Sequence, residues 1–349
     1  MKNDKSANTY YYSQLNKQQQ KAYHAMKTGL LSLSPSFPVP RLEGRELADI
    51  YFMLRMDCPE IFYTVNFRYR YYQESENVEL IPEYLFQKSK IIDHQKAMEA
   101  RVKKLARQAE KLSEKEKELY IHDFICQNVR YDKLKKPYSH EIIGPLGQGV
   151  GVCEGIAKAV KILCDTLGIW CVIALSEANP EKKIKYRHAW NIIRIDGKYY
   201  HLDVTFDNTL GHGESIRYDY CNLNDAQFFR DHEPVIWKVP ACEDGEHFYY
   251  KEKKISFTKY EDVRKRCAQA VKKGKTFLFH WRGGYLTREV LKDLVQIFEE
   301  EAAKKEKYAY LSLNWPQAVM QVVFKEIPPV QQVTMEEANE GERLEYSDT

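Results

Sequence analysis

The dipeptide Asp196-Gly197 separates two sequence runs with alternating apolar residues, HAWNIIRI before it and KYYHLDVTF after it. An Asp-Gly pair in this position predicts a β-hairpin with a two-residue type I′ loop, because both loop residues need a positive φ angle. A loop of known length fixes the strand register by counting. The predicted facing pairs are Ile195 with Lys198, Ile193 with Tyr200, Trp190 with Asp203, and His188 with Thr205.

This register sorts the side chains of the hairpin onto an apolar and a polar face. We predict that the apolar face packs against a core, and it carries Ala189, Ile193, Ile195, Tyr200, Leu202, Val204 and Phe206. The polar face carries His188, Trp190, His201 and Asp203. His188 and Asp203 are diagonal neighbours there, ~7–8 Å apart at the backbone, so the imidazole and the carboxylate can meet. The hairpin therefore predicts a His-Asp pair.

A cysteine stands inside a second distinctive segment, GVGVCEGIAKAVKILCDTLG, which spans residues 149–168. From Cys153 onward the apolar residues recur at helical spacing, and Gly168 is suited to a C-terminal helix cap. The preceding GPLGQGVG has four glycines and one proline among its eight residues, so we expect no helix there. The sulfur of Cys153 should then meet free backbone N–H groups at a helix N-terminus, which favour the nucleophilic thiolate.

Phosphate binding is the competing interpretation of this glycine-rich turn. A P-loop ends in Lys followed by Ser or Thr, whereas Cys153 and Glu154 follow the glycines here. Nucleotide binding is therefore set aside. We expect Glu154 to be an exposed residue of the first helical turn rather than a catalytic acid.

A cysteine at a helix start needs a base, and the base needs a group that orients it. We predict Cys153 as the nucleophile, His188 as the base and Asp203 as the acid that fixes the imidazole tautomer. His201 is the rival base, since it shares the polar face with Asp203. The oxyanion hole would use the Cys153 backbone N–H and one further donor. The sequence leaves that donor open between Gln148, Tyr131, Tyr138 and His140.

Metal binding is the alternative use of such residues. His188, His201 and Asp203 could together hold a zinc ion, and His122 and Cys126 stand at i, i+4 spacing on a predicted helix. The second set has no further ligand pair in the sequence, and the eight cysteines form no CxxC motif. We therefore expect neither a metal site nor any other cofactor. Thiols without regular spacing are typical of free cysteines in a reducing compartment.

Charge and hydropathy argue against two classes of partner. The 53 basic and 50 acidic residues leave a net charge of +3 over 349 residues, too little to attract nucleic acid or an anionic membrane. No apolar run approaches the ~20 residues of a membrane span, and the N-terminal residues lack the apolar core of a signal peptide. We therefore expect a cytoplasmic protein with neither a nucleic-acid nor a membrane partner.

The rest of the chain predicts helices and strands on both sides of these motifs. We expect two helices and a strand pair in residues 1–92, and a core in residues 93–240 that opens with a long charged helical stretch. Residues 241–328 alternate strand, helix, strand, helix, strand, strand, which indicates a small α/β module. Residues 329–349 are acidic and poor in large apolar groups, so we expect a disordered tail.

Three motifs resemble the transglutaminase-like superfamily: GVCEGIAKAVKILCDTLGI around Cys153, HAWNIIRIDGKYYHLDVTFD around His188 and Asp203, and the preceding EKELYIHDFICQNVRYD. They occur in the family's order Cys, His, Asp. The resemblance implies a papain-like cysteine fold for this core, with Cys153 as nucleophile, His188 as base and Asp203 as orienting acid. The whole chain is then expected to be α+β, with a helical N-terminal region and a small C-terminal α/β module. The flanking segments resemble those of bacterial members.

Members of this superfamily cross-link glutamine to lysine, hydrolyse peptide or amide bonds, remove glycans from asparagine, or only bind, and the fold does not decide between these. The leading hypothesis is an acyl-enzyme on Cys153 formed from a peptide or protein substrate. Water is the favoured acceptor and would make the protein a peptidase or amidase, whereas an amine acceptor would make it a protein-glutamine transglutaminase. The alternative is an inactive peptide-binding or scaffolding module. The sequence contains no calcium-binding loop motif, so calcium is not expected. The oligomeric state stays open.

Overall fold

The computed structural model describes residues 9–211 and 215–327, and the predicted tail at 329–349 lies outside them. The described residues divide into two compact units. The first unit draws on Met1–Ala178, Tyr186–Phe228 and His232–Gly245, and the second on Asn179–Lys185, Phe229–Asp231 and Glu246–Thr349. Both combine helices with mainly antiparallel sheets, so the architecture is α+β. Across the two described ranges, no helix has both the length and the apolarity that crossing a membrane requires.

The N-terminal part of the first unit holds two helices and a three-stranded antiparallel sheet with strand order β1-β3-β2. Its elements are α1 (Lys17–Leu31), β1 (Phe37–Pro40), α2 (Gly44–Asp57), β2 (Thr64–Arg70) and β3 (Asn77–Tyr84). The helix α1 starts where Asn16 and Gln19 form a capping box. The two predicted helices and the predicted strand pair are confirmed. The strand β1 is not predicted, because two of its four residues are prolines, which weaken a strand signal.

The long charged stretch forms two helices rather than one. They are α3 (Lys88–Ala109) and α4 (Glu114–Asn128). Ser113 caps the second helix through a capping box with Glu116, so the chain restarts a helix where the sequence pattern alone suggested continuity.

A glycine-rich connection links α4 to the cysteine-bearing helix. Its strands β4 (Arg130–Tyr131) and β5 (Val150–Gly151) form a short parallel pair. Between them, Ile143–Gln148 form a π-helical turn, so the expectation that GPLGQGVG holds no helix is wrong for its first five residues. The turn forms because its apolar side chains, Pro145 and Leu146 among them, are buried, and burial outweighs the low helix propensity of glycine and proline. Gly149 then ends the turn at a φ of 67°.

The helix α5 (Cys153–Leu167) packs on a four-stranded antiparallel sheet with strand order β6-β7-β8-β9. The elements that follow α5 are β6 (Cys171–Ser176), β7 (His188–Ile195), β8 (Lys198–Leu202), α6 (Val204–Gly211), β9 (Cys221–Leu223) and α7 (Asp225–Phe228). The predicted start of α5 at Cys153 is confirmed, and so is its end, where Gly168 takes a φ of 77°.

The β7–β8 hairpin has the predicted loop. Asp196 and Gly197 have φ angles of 50° and 81°, as a type I′ turn requires. Ile195 faces Lys198 and Ile193 faces Tyr200, which confirms the register near the loop. Strand pairing ends one step beyond Ile192, because the chain leaves the sheet and enters α6. The predicted strand pairs at Trp190 and His188 are therefore wrong.

Both faces of this hairpin are buried, which differs from the expected polar face. On one face, Asn191 donates to the Ala157 carbonyl of α5 at 3.0 Å. On the other face, Trp190 and His201 are each 1% exposed, because the ring of Phe228 from α7 covers them. The helix α7 thus covers side chains that the alternation of apolar and polar residues in the hairpin would place in solvent.

The second unit has its own core between two helices and a four-stranded sheet with strand order β10-β11-β13-β12. Its elements are α8 (Tyr249–Glu252), β10 (Ser256–Phe257), α9 (Tyr260–Lys273), β11 (Phe277–Trp281), α10 (Arg288–Ala303), β12 (Tyr308–Asn314) and β13 (Val319–Lys325). The predicted alternation of strands and helices is confirmed. The first strand of this alternation, which the sequence predicts over residues 248–257 (FYYKEKKISF), differs, since most of that segment forms α8 and a turn before the two residues of β10.

Candidate active site

Cys153 opens helix α5 and is one of two partly exposed cysteines, the other being Cys126. The remaining six are buried. Burial raises the pKa of the Cys58 and Cys267 thiols to about 12, so these stay protonated and unreactive. The N-cap residue Val152 contributes no side-chain hydrogen bond to the first N–H groups of α5. Cys153 is therefore an accessible thiol at the positive end of a helix dipole.

A backbone segment that includes Ser139 and His140 lies against the first turn of α5. A Cβ on Gly155 would lie 2.1 Å from the Ser139 carbonyl oxygen, so this close approach requires glycine two residues after Cys153. The His140 Nδ1 lies 3.2 Å from Oε2 of Glu154. His140, one of the four candidate oxyanion donors, thereby contacts the residue adjacent to Cys153.

The predicted His-Asp pair is present, although its local structure differs from the prediction. His188 is the first residue of β7, and its Nε2 donates to Asp203 Oδ2 at 2.5 Å. Asp203 follows β8 and caps α6, because its Oδ1 accepts the backbone N–H groups of Thr205 and Phe206 at 2.9 and 3.0 Å. One carboxylate thus starts a helix with one oxygen and holds the imidazole with the other.

The pKa values of this pair differ strongly from their ordinary values. Burial by itself lowers the pKa of His188, but the Asp203 carboxylate and a hydrogen bond with Cys153 raise it to about 10. Burial by itself raises the pKa of Asp203, but the nearby imidazoles hold it well below its usual range. At neutral pH the pair is therefore an imidazolium beside a carboxylate. Because Nε2 of His188 faces Asp203, Nδ1 is the nitrogen available to the Cys153 thiol.

His232 is a further histidine at the same carboxylate. Its Nε2 lies 3.0 Å from Asp203 Oδ2, and the residue is 6% exposed. The surrounding sequence, RDHEPVIW, has neither strand nor helix periodicity. His232 is therefore a site residue that the sequence patterns do not indicate.

His201, the predicted rival base, belongs to a different set of contacts. Its Nδ1 accepts from the Trp190 indole N–H at 3.0 Å, and its Nε2 donates to Asp225 Oδ1 at 2.8 Å. Burial lowers its pKa, so the ring is neutral at pH 7. The Trp190 ring in turn stacks on His188, with ring centroids 5.9 Å apart. His201 thus holds the tryptophan that packs on the proposed base.

Two groups of metal-ligand side chains occur within the described residues: His188, Asp203 and His232, and His201, Asp225 and Cys242. The zinc set that the sequence offered as an alternative, His188, His201 and Asp203, is not among them. In the first group the imidazole nitrogens of His188 and His232 lie 2.5 and 3.0 Å from the same Asp203 oxygen. These distances are shorter than the roughly 3.3 Å that separates two ligand atoms around a tetrahedral zinc ion. In the second group burial raises the pKa of the Cys242 thiol, which disfavours the thiolate that zinc needs. Both groups fit hydrogen bonding better than metal binding.

His122 and Cys126, the other metal candidates, lie on α4. The Cys126 sulfur is 3.9 Å from His122 Nε2, but the ring contacts carboxylates through both nitrogens, Asp123 at 3.0 Å and Asp207 at 3.1 Å. Asp207 belongs to α6, so His122 joins these two helices through a buried polar contact. The geometry fits a structural histidine better than a zinc ligand.

Comparison with known proteins identifies the segment that carries these residues. Residues 101–204 match the family model of the transglutaminase-like superfamily. This segment belongs to that superfamily. It contains Cys153, His188 and Asp203, whereas His232 lies outside it. No curated protein matched the chain.

Two solved structures share weak similarity with the chain. One is a "TGase", 12% identical over 41% of this chain and 44% of the other, with a TM-score of 0.28. The second is a "Putative Cysteine Protease" from Cytophaga hutchinsonii, 16% identical over 40% of this chain and 62% of the other, with a TM-score of 0.23. The matched regions thus span less than two thirds of either protein.

A buried ion cluster connects the transglutaminase-like segment to the N-terminal helix α2. Arg55 from α2 contacts Glu141, and it lies 3.2 Å from Glu154. Lys158 from α5 reaches the same two carboxylates at 2.8 and 2.7 Å. Two cations thus balance two anions beneath the first turn of α5. Glu154 is therefore ion-paired and mostly buried, which corrects the expectation of an exposed residue.

Aromatic residues from outside the transglutaminase-like segment also lie near Cys153. Phe52 of α2 and Trp237 pack against the apolar cluster that Cys153 contacts, and their rings are 5.8 Å apart. The guanidinium of Arg187, the neighbour of His188, lies 5.9 Å from the Phe52 ring. Phe52 and Trp237 are only partly buried, so they form an apolar border on this side of the site.

Proposed function

We propose that this protein is a thiol enzyme that forms an acyl-enzyme on Cys153 from a peptide or side-chain amide and transfers the acyl group to water. The observation that carries the proposal is the His188 ring, which binds the buried Asp203 carboxylate through Nε2 and whose pKa the Asp203 carboxylate and the nearby Cys153 thiol both raise. A nucleophile, a base and an orienting acid in this order are what acyl transfer requires. Membership of the central segment in the transglutaminase-like superfamily supports the same chemistry.

The reaction follows from the roles of these atoms. The Cys153 thiolate attacks the amide carbon, and the electron pair of the carbonyl moves to its oxygen, which the Cys153 backbone N–H stabilises. The C–N bond then breaks, and the proton on His188 Nδ1 passes to the leaving amine. Water next attacks the thioester while Nδ1 takes its proton. The C–S bond breaks, and the free acid and the thiolate form.

The electrostatics of the site support a thiolate before substrate arrives. An imidazolium whose pKa is about 10 stays charged through neutral pH and lowers the cost of ionising a nearby thiol. The N-terminus of α5 acts in the same direction. We therefore propose that Cys153 attacks as a thiolate that the His188 imidazolium stabilises.

The test uses an amide-based, thiol-reactive probe on the full chain and on the Cys153→Ala variant. We expect the probe to label the native chain and to leave Cys153→Ala unlabelled. Cys126→Ala is the matched control, because Cys126 is the other partly exposed thiol. Its removal should leave the labelling unchanged.

Equal labelling of the native chain and Cys153→Ala would overturn the proposal. Binding of peptides without labelling would also overturn it, and would favour the scaffolding alternative. Peptide substrates supplied with a primary amine distinguish the acceptors. Release of free acid supports hydrolysis, whereas incorporation of the amine in its place would make the protein a transglutaminase.

A further inference from the structure

The Asp203 carboxylate accepts four hydrogen bonds within the first unit. Two backbone N–H groups at the start of α6 donate to Oδ1, at 2.9 and 3.0 Å. The imidazoles of His188 and His232 both lie on Oδ2, at 2.5 and 3.0 Å. A carboxylate offers about four acceptor positions, so all of them are occupied. Asp203 is also completely buried, so water does not replace a lost donor without entering the core.

The ring of His232 is held in place by aromatic packing. Phe228 stacks on it with ring centroids 3.8 Å apart, and Phe206 lies at 4.5 Å. Since an ionised carboxylate only accepts hydrogen bonds, His232 Nε2 must carry a proton. The residue therefore presents a fixed donor to the oxygen that also binds His188.

We infer that His232 is a positioning residue that fixes the orientation of the Asp203 carboxylate and, through it, the tautomer and direction of the His188 ring. The inference rests on the proposed thiol chemistry. Without His232, Oδ2 is held by His188 alone, so the carboxylate can tilt about the two backbone N–H groups that still hold Oδ1. The His188 ring then loses the alignment that directs Nδ1 toward the thiol, and small misalignments of this kind reduce catalytic rates severely.

Two amide side chains test this role because they differ mainly in reach. In His232→Gln the terminal amide N–H occupies about the position of the imidazole Nε2, so it can donate to Oδ2. In His232→Asn the amide is one methylene shorter and does not reach that oxygen. Both variants are polar and smaller than histidine, so a general packing effect would affect them alike.

The readout is the rate at which iodoacetamide alkylates Cys153 at pH 6, followed by mass spectrometry of the intact full chain. We expect the Asn variant to react roughly tenfold more slowly than the native protein and the Gln variant within about threefold of it. With an amide substrate, the Asn variant should lose kcat by a similar factor while KM stays within about twofold. If the Asn variant does not fold, as judged by its thermal transition, His232→Leu replaces it with the same expectation.

Two results would overturn the inference. An Asn variant as fast as the native protein would show that no donor is needed, and a Gln variant as slow as the Asn variant would show that donation is not the role of the imidazole. The proposed function fails in a different way. In that case Cys153 of the native protein would itself react at pH 6 no faster than a free thiol.

Discussion

Replacing Asp203 by Asn removes the negative charge beside His188 and keeps the size of the side chain. The Asn carbonyl oxygen can still accept the backbone N–H groups at the start of α6, so the helix keeps its cap. The amide nitrogen then faces the imidazole Nε2–H, and two donors meet. The perturbation is therefore electrostatic and local rather than a loss of packing.

The size of the effect follows from the pKa of His188. The difference between about 10 and the ordinary 6.5 corresponds to about 5 kcal/mol of preference for the imidazolium. Burial opposes that preference and persists in the variant, so the pKa of His188 should fall below 6.5 when Asp203 is Asn. At pH 7 the ring would then be neutral and would no longer stabilise a thiolate on Cys153.

The same pKa values set the sign of the stability change with pH. The raised pKa of His188 contributes stability that is complete below pH 6.5 and is lost as the pH rises through about 10. The lowered pKa of Asp203 contributes stability that is complete above its ordinary 3.8 and is lost in stronger acid. Asp203→Asn should therefore reduce the free energy of unfolding most between these limits, at about pH 4 to 6.5.

Alkylation of Cys153 by iodoacetamide measures the consequence for the site. An ordinary thiol with a pKa of about 8.5 is less than about 1% ionised at pH 6. We expect Asp203→Asn to react at least about 30-fold more slowly than the native protein at pH 6, and within about threefold of it at pH 10, where the thiol ionises unaided. Amide turnover should fall by roughly 10³-fold or more.

Asp225→Asn is the matched control, because Asp225 holds His201 at 2.8 Å in the same way but does not contact His188 or Cys153 directly in the proposed mechanism. Its alkylation rate at pH 6 should stay within about threefold of the native rate. If Asp203→Asn were folded and reacted at the native rate at pH 6, the electrostatic reasoning would be refuted.

Two further predictions concern the support of α5. Gly155→Ala should reduce the free energy of unfolding, measured in urea, by about 1–3 kcal/mol, because the new Cβ would overlap a backbone carbonyl oxygen. Its control is Gly211→Ala, whose Cβ would meet no described atom within 4 Å and which should reduce the free energy of unfolding less. Lys158→Met should reduce the free energy of unfolding by about 3–5 kcal/mol, because it leaves two buried carboxylates with one guanidinium. Its control is Lys103→Met, which removes an exposed ion pair and should leave the urea midpoint unchanged. Equal losses within either pair of variants would contradict these arguments.

Local chemistry explains which parts of the site the sequence could predict. The Asp196-Gly197 loop sets the register within a few residues, and the glycines on either side of α5 define where that helix can begin and end. Cys153 and His188, the proposed nucleophile and base, could therefore be placed correctly on a helix start and a strand. These features depend on backbone angles that a few residues determine by themselves.

Tertiary contacts explain what the sequence could not predict. The end of β8 depends on whether Asp203 extends a strand or caps a helix, and that choice depends on Tyr220, whose carbonyl accepts the Asp203 N–H. His232 contacts Asp203 although it lies 29 residues later in the sequence. Arg55 contacts Glu141 although it lies 86 residues earlier. No periodicity connects positions so far apart, because their proximity exists only in the folded chain.

The ion cluster beneath α5 also determines how much of the chain an expressed segment should include. A clone limited to residues 101–204, the limits of the family match, would keep Cys153, His188 and Asp203 but would lack Arg55. Its product would have to bury two carboxylates with a single lysine, and the apolar cluster around Cys153 would lose its share of α2. A segment for expression should therefore extend beyond residues 101–204 and include α2.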